Sequence, residues 1–167
     1  MKQLISSAAL LLFPIFIFSQ DITGLWKGTM INDSTNTSLP YELLIQKEKG
    51  KYTGISYSRF QIGGEEYYGV KKVKVSKAKD GKIVIKDDDL LENNYPDGPA
   101  KNVQQLNILD LANGDADMSG LFVTNLTKRF CEVTGQIKIS KTDTHAGSSL
   151  MNYLQKKNMS NEIAVVK

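Results

Sequence analysis

Two stretches decide the reading: residues 21–28, Asp21-Ile22-Thr23-Gly24-Leu25-Trp26-Lys27-Gly28, and residues 50–57, Gly50-Lys51-Tyr52-Thr53-Gly54-Ile55-Ser56-Tyr57. Both read as strands punctuated by glycine, and the first carries the sole Trp of the chain, two residues after Gly24. Upstream, Lys2 supplies a positive start, and Leu4 to Phe18 supply an apolar run broken by Ser6, Ser7 and Pro14. That run is roughly 15 residues, shorter than the about 20 a spanning helix needs. Ser19 is small enough to precede a cleavage point, although Ile17 is less suited to its position than Ala. Residues 1–19 are therefore expected to be a signal peptide, with an uncleaved anchor as the alternative. No Cys ends the leader, which argues against a lipid anchor. The expected location is secreted or periplasmic, of bacterial type, with no stable membrane insertion after cleavage.

Downstream, short strands alternate with turn residues. Strands are expected at Ile22–Ile31, Tyr41–Lys47, Tyr52–Phe60, Tyr67–Lys77, around Ile83 and Ile85, and at Val103–Leu111, Met118–Thr124 and Phe130–Ser140. Glu48-Lys49-Gly50-Lys51, Gly63-Gly64, Asp80-Gly81 and Asn113-Gly114 divide them, and Asp80-Gly81 is the strongest short hairpin signal. Alternation sends Val73 and Val75 inward and Lys72, Lys74 and Ser76 outward, with a slip near Lys71-Lys72 that predicts a bulge. Eight strands with no helix-length pattern between them predict an all-β antiparallel barrel or sandwich and disfavour a parallel sheet. Ser148, Leu150, Tyr153, Leu154 and Lys157 then follow helical spacing, and Glu162–Val166 could add an edge strand. The expected division is a signal peptide over residues 1–19, a barrel over 20–141, and a helix with a tail packed on the barrel over 142–167.

The mature chain would keep roughly 150 residues, enough for one domain with its own core. Charge is close to balanced, 21 Lys+Arg against 18 Asp+Glu, so nucleic acid is not expected as a partner. The single cysteine, Cys131, excludes an internal disulfide. It shares an alternating face with Val133, Gly135, Ile137 and Ile139 and is expected to pack as a small hydrophobe.

A Gly-x-Trp on the first strand of an eight-stranded meander, here Gly24 and Trp26, resembles the calycins: lipocalins, fatty-acid-binding proteins and avidins. Gly50-Lys51-Tyr52-Thr53-Gly54 is similar to the third-strand entry of avidins. The resemblance implies an up-and-down, calycin-like barrel closed at one end by Trp26, with a short C-terminal helix. It departs where avidins have an Asn, which is Gly28 here, and this chain lacks the further Trp residues that wall a biotin site. Biotin binding is not expected. Arg129 precedes the last strand and is poorly placed to stack over Trp26. The alternative is an unrelated β-sandwich or barrel in which Trp26 is simply the largest core residue.

Chemistry is sparse. His145 is the one histidine, in a polar tail, so neither a His-based triad nor a His/Cys metal site is expected. Asp87-Asp88-Asp89 and the group Asp110, Asp115, Asp117 match no calcium-loop spacing. The lysines from Lys71 to Lys86 read mainly as a solvated outer face. Asp110 shares a register with Leu106 and Ile108; it is the acid to watch, since burial would raise its pKa and suit it to general acid work. No cofactor and no enzymatic activity are expected. The expected function is a carrier or sensor of a small apolar or amphipathic ligand. Trp26, Tyr41, Tyr57 and Phe122 are its candidate lining, with Tyr57 and Phe122 expected inward on facing strands. The alternative is a protein-interaction module, such as an inhibitor of an exported hydrolase or an envelope-complex subunit, using the loop Asn93–Lys101.

Overall fold

The computed structural model describes residues 21–96 and 102–159. The expected signal peptide, residues 97–101 of the proline-bearing loop, and the edge strand expected at Glu162–Val166 lie outside the described residues. The strands are β1 (Gly24–Asn32), β2 (Ser38–Glu48), β3 (Lys51–Ile62), β4 (Glu65–Lys77), β5 (Ile83–Asn93), β6 (Gln105–Ala112), β7 (Asp117–Thr124) and β8 (Thr134–Thr142). Each pairs antiparallel with the next, and β8 returns to β1, closing an eight-stranded up-and-down barrel. One short helix follows, α1 (Ser149–Lys156).

Local chemistry explains the tight turns. β2 and β3, and β3 and β4, are joined by two residues each, Lys49-Gly50 and Gly63-Gly64, all at positive φ (49°, 80°, 60° and 89°). Two consecutive left-handed residues twist a hairpin in the sense the strands require. Asp80-Gly81 instead lies in a longer turn between Lys77 and Ile83, closed by the Ala78 amide donating to the Lys82 carbonyl at 2.8 Å. The β4–β5 register does shift at the expected place, between Val70 and Lys71 and again between Lys71 and Val73, but each shift adds a residue on β5, while β4 stays in unbroken register with β3.

The strand period of two divides the apolar residues into two layers. Trp26, Met30, Tyr41, Leu43, Ile45, Val73, Val75, Ile85, Leu109, Met118, Phe122, Ile137 and Ile139 face inward and pack together. On the outer wall of β1 to β4, Leu25, Leu44, Ile55, Tyr57 and Val70 are buried under Leu150, Met151 and Leu154 of α1. This wall is covered on both faces, so Leu43-Leu44-Ile45 shows no alternation.

A polar latch fixes the helix. Glu42 points outward from β2 and is nonetheless buried. It accepts from the Ser148 hydroxyl and from the amides of Ser149 (2.9 Å) and Leu150 (3.1 Å). Ser148 is itself the N-cap, its Oγ accepting from the Met151 amide at 3.0 Å. The carboxylate thus satisfies orphan donors at the positive end of the helix, where a negative charge is favoured.

Cys131 does not pack as a small hydrophobe; it is exposed. The Thr127 hydroxyl accepts from the amides of Arg129 (3.3 Å) and Phe130 (2.9 Å), holding a turn there. The β8 ladder therefore begins only at Thr134, paired with Val123, and Cys131 stays in the preceding loop.

Glu42→Ala should uncap α1 and cost about 1–3 kcal/mol. Urea unfolding followed by Trp26 fluorescence, with amide exchange read at Ser149 and Leu150, checks this. Unchanged exchange at those two amides would contradict the latch.

Candidate functional site

One end of the barrel is plugged. Trp26 is fully buried and its indole Nε1 donates to the Ile22 carbonyl at 3.0 Å. Lys141, at the end of β8, places Nζ 5.9 Å from the Trp26 ring and donates to the Asp21 carbonyl at 3.3 Å. A cation over an aromatic face is attractive, so lysine fills the place for which Arg129 was a poor candidate. Gly24 makes this possible: its φ is 121°, and a Cβ there would meet the Lys141 side chain at 3.0 Å. The Gly-x-Trp spacing thus seats a lysine across the plug.

The other end is open. A cup of about 320 Å³ lies there, at the small end of the range for ligand pockets. Its apolar lining comes from Met30, Leu39, Phe60, Tyr95, Val103, Phe122, Phe130 and Val133, and its polar lining includes Asn32, Ser58, Arg59, Lys71, Gln105 and Thr124. Two glycines make room for two rings. A Cβ on Gly135 would fall 2.4 Å from the Phe122 ring, and one on Gly69 would fall 2.0 Å from the Tyr95 hydroxyl oxygen. Tyr95 also meets Phe60 edge to face at 5.0 Å between centroids.

Between plug and cup runs a buried polar layer. Lys71 is in phase with the inward Val73 and Val75 of β4, opposite Ser56 of β3, and it forms an ion pair with Asp87 at 2.5 Å. These side chains are only 11% and 10% exposed. Lys71 Nζ also donates to the Val103 carbonyl at 2.9 Å, and Asp87 accepts from the Gln105 amide at 2.9 Å. The Gln105 side-chain amide donates to Asn107 Oδ1 at 2.7 Å, and Asn107 donates to the Tyr41 hydroxyl at 3.0 Å. The layer also joins strands that have parted: β5 pairs with β6 only from Ile83 to Lys86, and the Asp87 carboxylate takes the next β6 amide.

The four expected lining residues separate. Phe122 lines the cup. Tyr41 faces inward beneath it, in the polar layer. Trp26 sits in the plug and lines no part of the cup. Tyr57 does not face inward to meet Phe122; it lies on the outer wall under α1, with its ring stacked on Tyr68 at 5.6 Å. Lys71 likewise departs from the expected solvated face, although Lys74 and Lys82 conform to it, pairing at the surface with Asp88 and Asp110. Asp110 is exposed and outward, because Asn107 and Leu109 are the inward residues of β6. Among the described residues no group of three or more His, Cys, Asp or Glu could hold a metal ion. The carbonyl of His145 accepts the Ser148 amide at 3.1 Å, and its buried Nε2 has no hydrogen-bond partner.

Burial, reinforced by the Asp87 charge, pushes the hydroxyls of both Tyr41 and Tyr95 well above the ordinary tyrosine value. A raised folded-state pKa gives stability that is complete below the unfolded value near 10 and is lost as pH rises above it. Absorbance titration should show Tyr41 and Tyr95 ionising only as the barrel opens. Tyr41→Phe and Tyr95→Phe should each remove amplitude from that late step; amplitude lost from the ordinary step near pH 10 would contradict the buried placement.

In comparisons with known proteins, no family model, no curated protein and no solved structure matches this chain.

Proposed function

We propose that this chain is an exported, non-enzymatic binding protein of calycin type, holding a small amphipathic ligand in the open cup. The observation that carries the reading is the layering of the interior. A plug of bulky side chains fills one end, a hydrogen-bonded polar layer crosses the middle, and an aromatic-rich cup remains at the other. A closed eight-stranded barrel is just wide enough for side chains to fill or for one small ligand to enter. A polar floor under apolar walls suits a ligand with a polar head and an apolar body. The leader supports export. The outward placement of Asp110, paired with Lys82 at 2.7 Å, supports the non-enzymatic reading, since water screens it.

A second reading, an interaction module, draws on the wall formed by β6, β7, β8 and β1. Ile108 pairs with Leu121, Leu121 with Gln136, and Gln136 with Ile31, making one row across four strands. Leu121 is 63% exposed and Ile108 42%. Large exposed aliphatic side chains in a row mark a surface that a protein partner could cover.

Native mass spectrometry of protein purified from its own source, together with titration of the neutral dye N-phenyl-1-naphthylamine, separates the two. The carrier reading predicts a co-purifying small molecule, or dye binding in the cup that Ser58→Phe, at a cup-lining position of β3, abolishes while the fold is retained. An empty protein that binds no dye, together with a stoichiometric protein partner lost in Leu121→Asp, would overturn it in favour of the second.

A further inference from the structure

We infer that the cup selects anionic amphipaths, with Lys71 receiving the ligand's carboxylate; this rests on the cup being a ligand site. The charge distribution carries the inference. Among the described residues that line the cup are two cations, Arg59 and Lys71, and no Asp or Glu. Their counter-charges stand outside the lining. Asp87 holds Lys71 and spends further acceptor capacity on the Gln105 amide, while Glu66 holds Arg59 at 2.9 Å. The Arg59 guanidinium lies over the outer-wall ring of Tyr57, 5.9 Å from its centroid, so Lys71 is the cation that meets the ligand.

Donor arithmetic gives the same result. A lysine ammonium has three N–H donors. Asp87 and the Val103 carbonyl take two, leaving one for an acceptor in the cup. Lys71 is nine-tenths buried, and its amine is held from two sides before any ligand arrives. A ligand acceptor there loses little to ordering the lysine, and the shielded site strengthens its attraction. Asp87 opposes a second negative charge, but it lies behind Lys71 and is compensated by it. A cationic head would meet Lys71 first and be repelled. The apolar body of the ligand then lies against Phe60, Phe122 and Met30.

The test is displacement of N-phenyl-1-naphthylamine from the full folded protein by matched ligands: decanoate, 1-decanol and decyltrimethylammonium, then 2-naphthoate and 2-naphthalenemethanol. A charge-assisted hydrogen bond in a shielded site predicts that each carboxylate binds about tenfold or more tightly than its alcohol. The quaternary amine should bind weakest. The chain and ring arms report which apolar body the cup prefers. Lys71→Met alone strands Asp87 and risks unfolding, so the decisive variant is Lys71→Met with Asp87→Leu, which removes the pair together. That variant should still bind the dye but bind acid and alcohol alike. Equal binding of acid and alcohol by the native protein would overturn the anion inference while leaving the cup reading intact. A carboxylate preference surviving in the double variant would also overturn it, by removing Lys71 from the role. Failure of every probe, the dye included, would overturn both.

Discussion

The contact between Lys71 and Asp87 lets this barrel be closed and hollow at once. A closed sheet needs every seam joined, yet the β5–β6 ladder stops at Lys86 and Leu106. Beyond that point a carboxylate from β5 takes the Gln105 amide, and an ammonium from β4 reaches the Val103 carbonyl. Side-chain bonds thus continue what backbone bonds began. Burying an ion pair is costly unless its remaining donors and acceptors are also satisfied, and here both partners hold backbone groups as well. The pair keeps the middle of the barrel polar. Tyr41, Asn107 and Gln105 extend that polarity, and the apolar plug ends where it begins.

Volume does the rest. Bulky inward residues, Trp26, Leu43, Ile45, Ile85, Ile137 and Ile139, fill the lower half. In the upper half, Ser58 and Gly135 occupy inward positions and Gly69 seats the Tyr95 hydroxyl, leaving room where the lower half has none. The rings of Phe122 and Tyr95 fold back against Gly135 and Gly69 instead of meeting across the opening. The helix supplies no part of the cup; its cost of ordering is offset by the wall it covers and by Glu42.

Much of the fold was legible because strands announce themselves by alternation and glycine turns. The eight strands, their order, the place of the β4–β5 register shift and the helix start at Ser148 all followed from that signal. The site was less legible, for definite reasons. Tyr57 looked inward because a wall buried on both faces carries apolar residues at both parities, and parity alone cannot name the inner one. β6 presented the same ambiguity: Leu106 and Ile108 compete with Asn107 and Leu109, and the structure buries a polar Asn107 in preference to Ile108. Lys71 shares the parity of inward Val73 and Val75, but a lysine there reads as solvated until its buried partner is known. Lys71 and Asp87 are separated by sixteen residues, and only strand pairing brings them together. Lys141 over Trp26 required knowing that β8 closes onto β1.

If the hollow end is the ligand site, binding should be felt there and nowhere else. Three methionines stand in three compartments: Met30 lines the cup, Met118 lies in the plug and Met151 lies under the helix. Methyl NMR of methionine-labelled protein, titrated with N-phenyl-1-naphthylamine, reads all three together. A large, saturable shift is expected at Met30, with Met118 and Met151 unmoved. A shift led by Met151, or saturable dye binding that leaves Met30 in place, would contradict it.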